Sequence, residues 1–142
     1  MSVQHILAEK SGDVVTIAPD RTLADAARLL AERRIGAVIV SEANRPVAGI
    51  LSERDIVRAL ARSGAGALDH AVRDHMTADV VTCTSQMVIA EVMELMTRGK
   101  FRHLPVVEGG RLVGIVSIGD AVKRRLAEME SEQQAMREYI TS

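Results

Sequence analysis

Two rhythms of apolar residues succeed one another along the chain. Val14–Ile17 is a β-branched run closed by Ala18-Pro19-Asp20, which predicts a short strand. Leu23, Ala26, Ala27 and Leu30 then recur at i, i+3, i+4 and i+7 behind a Thr22-x-x-Asp25 capping box. That spacing predicts an amphipathic helix to about Arg34, stopped by Gly36. Ala37–Ser41 predicts a second strand, Glu42–Pro46 a turn and Val47–Leu51 a third strand, after which Ser52 opens a helix to about Arg62. Upstream, residues 1–13 are polar and mixed, with room for a short helix over Val3–Glu9 and a turn at Ser11-Gly12-Asp13.

The same order of elements then restarts. Ser63-Gly64-Ala65-Gly66 breaks the chain, and residues 67–79 read as a linker with a helical turn around Ala71–Met76. Val80-Val81-Thr82 repeats Val14-Val15-Thr16, and Ile89, Val92, Met93 and Met96 repeat the helical stripe. Leu104–Val107 and Leu112–Val116 repeat the last two strands across a Gly109-Gly110 turn. The first strands start 66 positions apart (14 and 80) and the later glycines 65 apart (49 and 114), so one residue is dropped in the hairpin. The fold class is therefore α/β (α+β): tandem β-α-β-β-α repeats, each with parallel helix-linked strands and an antiparallel hairpin. A small sheet with helices on one face leaves the other face bare, and two copies can cover each other as a pseudo-twofold pair. The chain divides into an N-terminal segment (1–13), repeat 1 (14–62), a linker (63–79), repeat 2 (80–126) and a helical tail (127–142). In the tail Val122, Leu126, Met129, Gln133, Met136 and Ile140 alternate in steps of four and three, a heptad seam broken by one glutamine. It fits either a helix packed on its own module or a dimer contact.

Composition narrows the function classes. The chain is 47% hydrophobic and 26% charged, which fits a globular protein, and its two aromatics beyond histidine are Phe101 and Tyr139. A net charge of −1 and a pI near 6.4 argue against wrapping nucleic acid, and stacking platforms for bases are lacking. No apolar run approaches the roughly 18 residues a membrane span needs. The single Cys83 fits a reducing compartment, and a cytoplasmic protein is expected; on a buried strand it reads as core. His70 and His75 are five apart, the wrong spacing for one helical face, so no metal site is expected. Neither a Walker loop nor a dinucleotide fingerprint is present, and no nucleophile–base pair suggests an enzyme.

One motif occurs twice: Gly49-Ile50-Leu51-Ser52-Glu53-Arg54-Asp55 and Gly114-Ile115-Val116-Ser117-Ile118-Gly119-Asp120. Each is a strand end running into a helix start. Ser-x-x-Asp is a capping box in its own right, as Thr22-x-x-Asp25 shows, yet its doubling, with a glycine and a strand before each copy, points beyond capping. These motifs, their spacing and the strand entry Arg102-His103-Leu104-Pro105-Val106-Val107 resemble a tandem pair of CBS domains, named for cystathionine β-synthase and often called a Bateman module. The resemblance covers roughly residues 10 to 126.

Such modules bind adenine nucleotides or related adenosyl ligands in clefts between the repeats and commonly dimerise. The resemblance implies that Asp55 and Asp120 accept the two hydroxyls of a ribose, for which a carboxylate has two suitable oxygens. It pairs Ile50, Ser52 and Asp55 with Val81, Arg102 and His103, the basic pair meeting phosphate. Alternatively those charges merely favour a helix C-terminus. It pairs Ile115, Ser117 and Asp120 with Val15, Gly36 and Ala37, leaving phosphate to Lys10 or a partner subunit. The implied function is a regulatory sensor, not an enzyme. It binds AMP, ADP, ATP or NAD, requires no cofactor, and signals through a homodimer or a separate effector protein. The rival is a ligand-free dimeric scaffold.

Overall fold

The computed structural model describes residues 1–10 and 14–141; the predicted turn at Ser11-Gly12-Asp13 lies outside them. The elements run α1 (Val3–Glu9), β1 (Thr16–Ile17), α2 (Leu23–Arg33), β2 (Ala37–Glu42), β3 (Arg45–Ser52) and α3 (Glu53–Ser63). Two 3-10 turns (Gly64–Asp69, Val72–Asp74) lead to α4 (Ile89–Gly99), β4 (His103–Glu108), β5 (Arg111–Ser117) and α5 (Ile118–Thr141). The chain folds as two compact units. One holds Val14–Val81 with Gly110–Leu112; the other holds α1 together with the rest of the chain from Thr82 onward.

In the first unit β1 pairs parallel with β2, Ile17 opposite Val40, and β2 pairs antiparallel with β3, Val38 opposite Leu51. Branched residues suit this pleated, buried surface, and Val38, Val40 and Leu51 are wholly buried against Leu23 of α2. α2 begins as its sequence dictates. Thr22 Oγ1 accepts from the Asp25 N–H (3.1 Å) and Asp25 Oδ2 accepts from the Thr22 N–H (3.2 Å). Its end differs from expectation: the stop is Arg34, in the left-handed conformation at φ 55°, rather than Gly36, and Lys100 ends α4 in the same way at φ 57°. An αL residue at a helix end satisfies the last carbonyls, and Arg34 N–H donates to Leu30 and Ala31.

The stretch after α3 is structural. Ala67 and Val72 are fully buried, the Leu23 N–H donates to His70 O (3.0 Å), and the Val72 N–H donates to Arg21 O (2.8 Å). Thr77 exchanges both backbone bonds with Ile50 (2.9 and 3.0 Å). The second unit receives α1 in a matching position. Val3 and Ile6 are buried with Ile89, Val92, Met96, Leu104, Val106 and Val116. The Val3 N–H donates to Met87 O (2.9 Å), and Met87 lies 66 positions after Arg21. Each repeat is thus completed by the segment that precedes the other one in sequence.

One predicted strand does not form. Val80-Val81-Thr82 is irregular, and pairing shrinks to a single parallel bridge from Cys83 to Val106. Cys83 N–H donates to Pro105 O and Val107 N–H to Cys83 O, both at 2.9 Å. Extending the ladder one step back requires an N–H at residue 105. Repeat 1 has Ile39 there; repeat 2 has Pro105, which has none.

The motif glycines show why the repeats carry them. A Cβ at Gly49 would stand 2.6 Å from Met76 Sδ and 2.8 Å from Thr77 O; one at Gly114 would overlap the end of the Leu7 side chain. Gly49→Ala should therefore lower stability in urea unfolding by about 1–3 kcal/mol, since a backbone oxygen has to move. Gly114→Ala should cost less, because Leu7 can turn its tip away. Equal losses would contradict this account of the two contacts.

Candidate functional site

The two strand–helix junctions have closely similar local geometry. At the first, Asp55 Oδ2 accepts from the Ser52 N–H (2.8 Å) and the Ser52 hydroxyl (3.0 Å), while Ser52 Oγ accepts from the Asp55 N–H (3.3 Å). At the second, Asp120 Oδ2 accepts from the Ser117 N–H (2.9 Å) and Ser117 Oγ from the Asp120 N–H (3.1 Å). The first helical amide is tied down alike in both: Glu53 N–H donates to Gly36 O (2.9 Å), and Ile118 N–H to Arg102 O (2.8 Å). These bonds satisfy helix-start donors that would otherwise be orphaned. They fall on one carboxylate oxygen only. Among the described residues, the bonds accepted by both aspartates go to Oδ2 and leave Oδ1 to accept from something else.

The junctions differ in charge. Lys10 Nζ donates to Asp120 Oδ2 and to Ile115 O, each at 2.9 Å. Asp55 has no ion pair among the described residues. The cause lies in the seating of the preceding segments. Leu7 and Met76 both press on a motif glycine, and three residues further on stand Lys10 and Asp79 respectively. Burial alone would raise the Asp120 carboxyl. The Ser117 amide, the Lys10 ammonium and the Ser117 hydroxyl together outweigh burial and hold it below the usual carboxylate range.

The remaining predicted residues fall as follows. Within the first unit, Ala37 is buried opposite Ser52, and both backbone groups of Ile50 are engaged by Thr77. Gly36 and Val15 are half-buried, and Val81 is exposed. Within the second unit, Ile115 offers its carbonyl to Lys10, Arg102 is exposed and His103 half-buried at the start of β4. Lys10, to which the resemblance leaves a phosphate, is paired with the Asp120 carboxylate.

His70 and His75 meet although they are five apart. His70 is extended between the two 3-10 turns, so its ring stacks on His75 with centroids 5.1 Å apart, and Nδ1 of His70 lies 2.9 Å from Nε2 of His75. Among the described residues, no three metal-ligating side chains gather. Cys83 is buried, and burial, followed by the Glu108 charge, pushes its thiol up to about 11, which suits core packing and not nucleophilic work. No helix of the described residues is long and apolar enough to cross a membrane.

The CBS-domain family model matches residues 4–62 and 72–127. The CBS-domain protein ATU1752 from Agrobacterium tumefaciens is 48% identical with a TM-score of 0.83, covering 87% of this chain and 92% of that one. PAE2072 from Pyrobaculum aerophilum, a CBS-domain protein complexed with AMP, is 27% identical at TM-score 0.74, with 84% and 89% covered. The CBS pair of MJ0100, in complex with 5′-methylthioadenosine and S-adenosyl-L-methionine, is 25% identical at 0.78, with 91% and 98% covered. Curated relatives are longer, and the chain spans 68% of one, 61% of a second and about a fifth of others. The chain belongs to the CBS-domain family and carries two repeats of it.

Because its folded value is lowered, Asp120 adds stability above its unfolded value of about 3.9, and loses that contribution as pH falls through the folded value. Lys10→Ala should move the Asp120 carboxyl up in a carbon-detected NMR titration. An unmoved Asp120 would show that Lys10 does not hold it.

Proposed function

We propose that this CBS-domain pair is a regulatory module, not an enzyme, that binds an adenosine-containing ligand at its two Ser-x-x-Asp junctions. The observation that carries the reading is the pair of half-used carboxylates. Each aspartate is held rigidly through Oδ2 and keeps Oδ1 toward further donors, which suits the adjacent hydroxyls of a ribose. The Thr22–Asp25 box lacks this economy: Arg28 approaches Asp25 Oδ1 and Arg21 takes Oδ2. Relatives of similar fold with AMP or S-adenosylmethionine bound support the ligand class.

AMP, ADP, ATP and NAD are the ligands we put forward, acting in the cytoplasm without a required cofactor. Arg102 and His103 serve the phosphate of the Asp55 ligand, as the family resemblance suggested. The Asp120 ligand shares its carboxylate with Lys10, so it meets a neutralised acceptor while the Asp55 ligand meets a bare anion. Occupancy then shifts the population toward the arrangement with higher ligand affinity, and a homodimer or a separate effector protein reads the shift.

A thermal-shift panel of AMP, ATP, NAD, NADH and S-adenosylmethionine should raise the melting temperature with at least one member, because a ligand of the folded state alone must stabilise it. In calorimetry, Arg102→Ala should weaken AMP more than Asp120→Ala does at the tighter site. Equal losses would count against the assignment of phosphate to Arg102. No shift with any member would favour a ligand-free scaffold.

A further inference from the structure

α5 continues far beyond the core that supports its first turns. Ala121 is its one buried residue, and every residue from 131 to 141 is exposed. Its outer half is about three turns long, and isolated helices of that length are marginal in water. On one side of it the seam stays bare: Leu126 is 56% exposed, Met136 59% and Ile140 73%.

We infer that this face is the seam of a parallel, in-register two-stranded coiled coil with a second copy of the chain. With Leu126, Gln133 and Ile140 at a positions, Met129 and Met136 take d, and the flanking g and e positions follow. Arg125 and Glu132 stand at g, Glu130 and Arg137 at e. In a parallel pair each g residue faces the e residue five positions later in the other chain. Arg125 then meets the partner's Glu130, and Glu132 meets the partner's Arg137. Both contacts join opposite charges, and the twofold axis doubles them. Releasing Arg125 from its present bond to Glu128 does not strand that carboxylate, which also holds the N-terminal ammonium.

Gln133 decides the orientation. In an antiparallel pair a faces d, and the d positions of this seam, Val122, Met129 and Met136, are all apolar. An amide buried against any of them would lose its hydrogen bonds. In the parallel, in-register pair Gln133 meets the partner's Gln133, and each amide supplies both a donor and an acceptor. A single polar a position fixes register at some cost in stability.

This inference specifies the dimer invoked in the preceding reading but does not depend on the ligand. The test is cross-linking of the full chain at micromolar concentration under mild oxidation, with buried Cys83 as silent background. Gln133→Cys should form a covalent dimer at least on the order of tenfold faster than Ser131→Cys, which lies on the outer face, since disulfides demand close Cα atoms. Adding Met136→Glu, at an already exposed position, should remove that advantage. Equal rates at 131 and 133 would overturn the coiled coil. Preferred cross-linking of a Val122→Cys chain to a Gln133→Cys chain would overturn the parallel orientation. AMP calorimetry on the same Met136→Glu chain reports the ligand reading separately, so the two can fail independently.

Discussion

Gly49 and Gly114 each lack a side chain where another part of their unit lies directly upon the strand. That close approach is the constraint on which both repeats depend. It seats Met76 and Thr77 on β3, and Leu7 of α1 on β5. Two small sheets with few strands could not bury Val72 or Val3 by themselves, and both residues are fully enclosed once the preceding segments are in place. The seating also has an electrostatic consequence. It delivers a cation to one junction, where Lys10 meets Asp120, and an anionic residue, Asp79, to the corresponding position in the other segment.

Function in this fold is layered on a structural device. The reciprocal bond of Ser or Thr with Asp at a helix start is an ordinary cap, as the Thr22–Asp25 pair shows. What separates Asp55 and Asp120 is the second oxygen. Capping fixes each carboxylate through Oδ2. The two junctions therefore offer one geometry in two electrostatic settings.

Much of this was legible in the residues. The offset of 66, the capping boxes and the doubled motif place α2 to α5 and most strands, because periodicity and cap chemistry are local. What escaped was non-local or depended on one atom. The strand at Val80–Thr82 looks as good as its counterpart at Val14–Thr16, and fails for want of the N–H that Pro105 lacks on the neighbouring strand. The glycine-rich stretch at Ser63–Gly66 reads as the start of a linker, whereas Ala67 and Val72 just beyond it belong to the core. The His70–His75 stack was hidden because a helical spacing rule does not apply across an extended residue. The bond of Lys10 to Asp120 follows from where α1 packs, which periodicity does not encode.

If these carboxylates recognise a ribose diol, one comparison isolates it. AMP and 2′-deoxy-AMP share base, phosphate and charge and differ by a single hydroxyl. A hydrogen bond to a charged acceptor contributes about 1.5–3 kcal/mol, so calorimetry should show 2′-deoxy-AMP binding on the order of ten- to a hundredfold more weakly. Equal affinities for the two would contradict the account, because Asp55 and Asp120 would then be caps and nothing more.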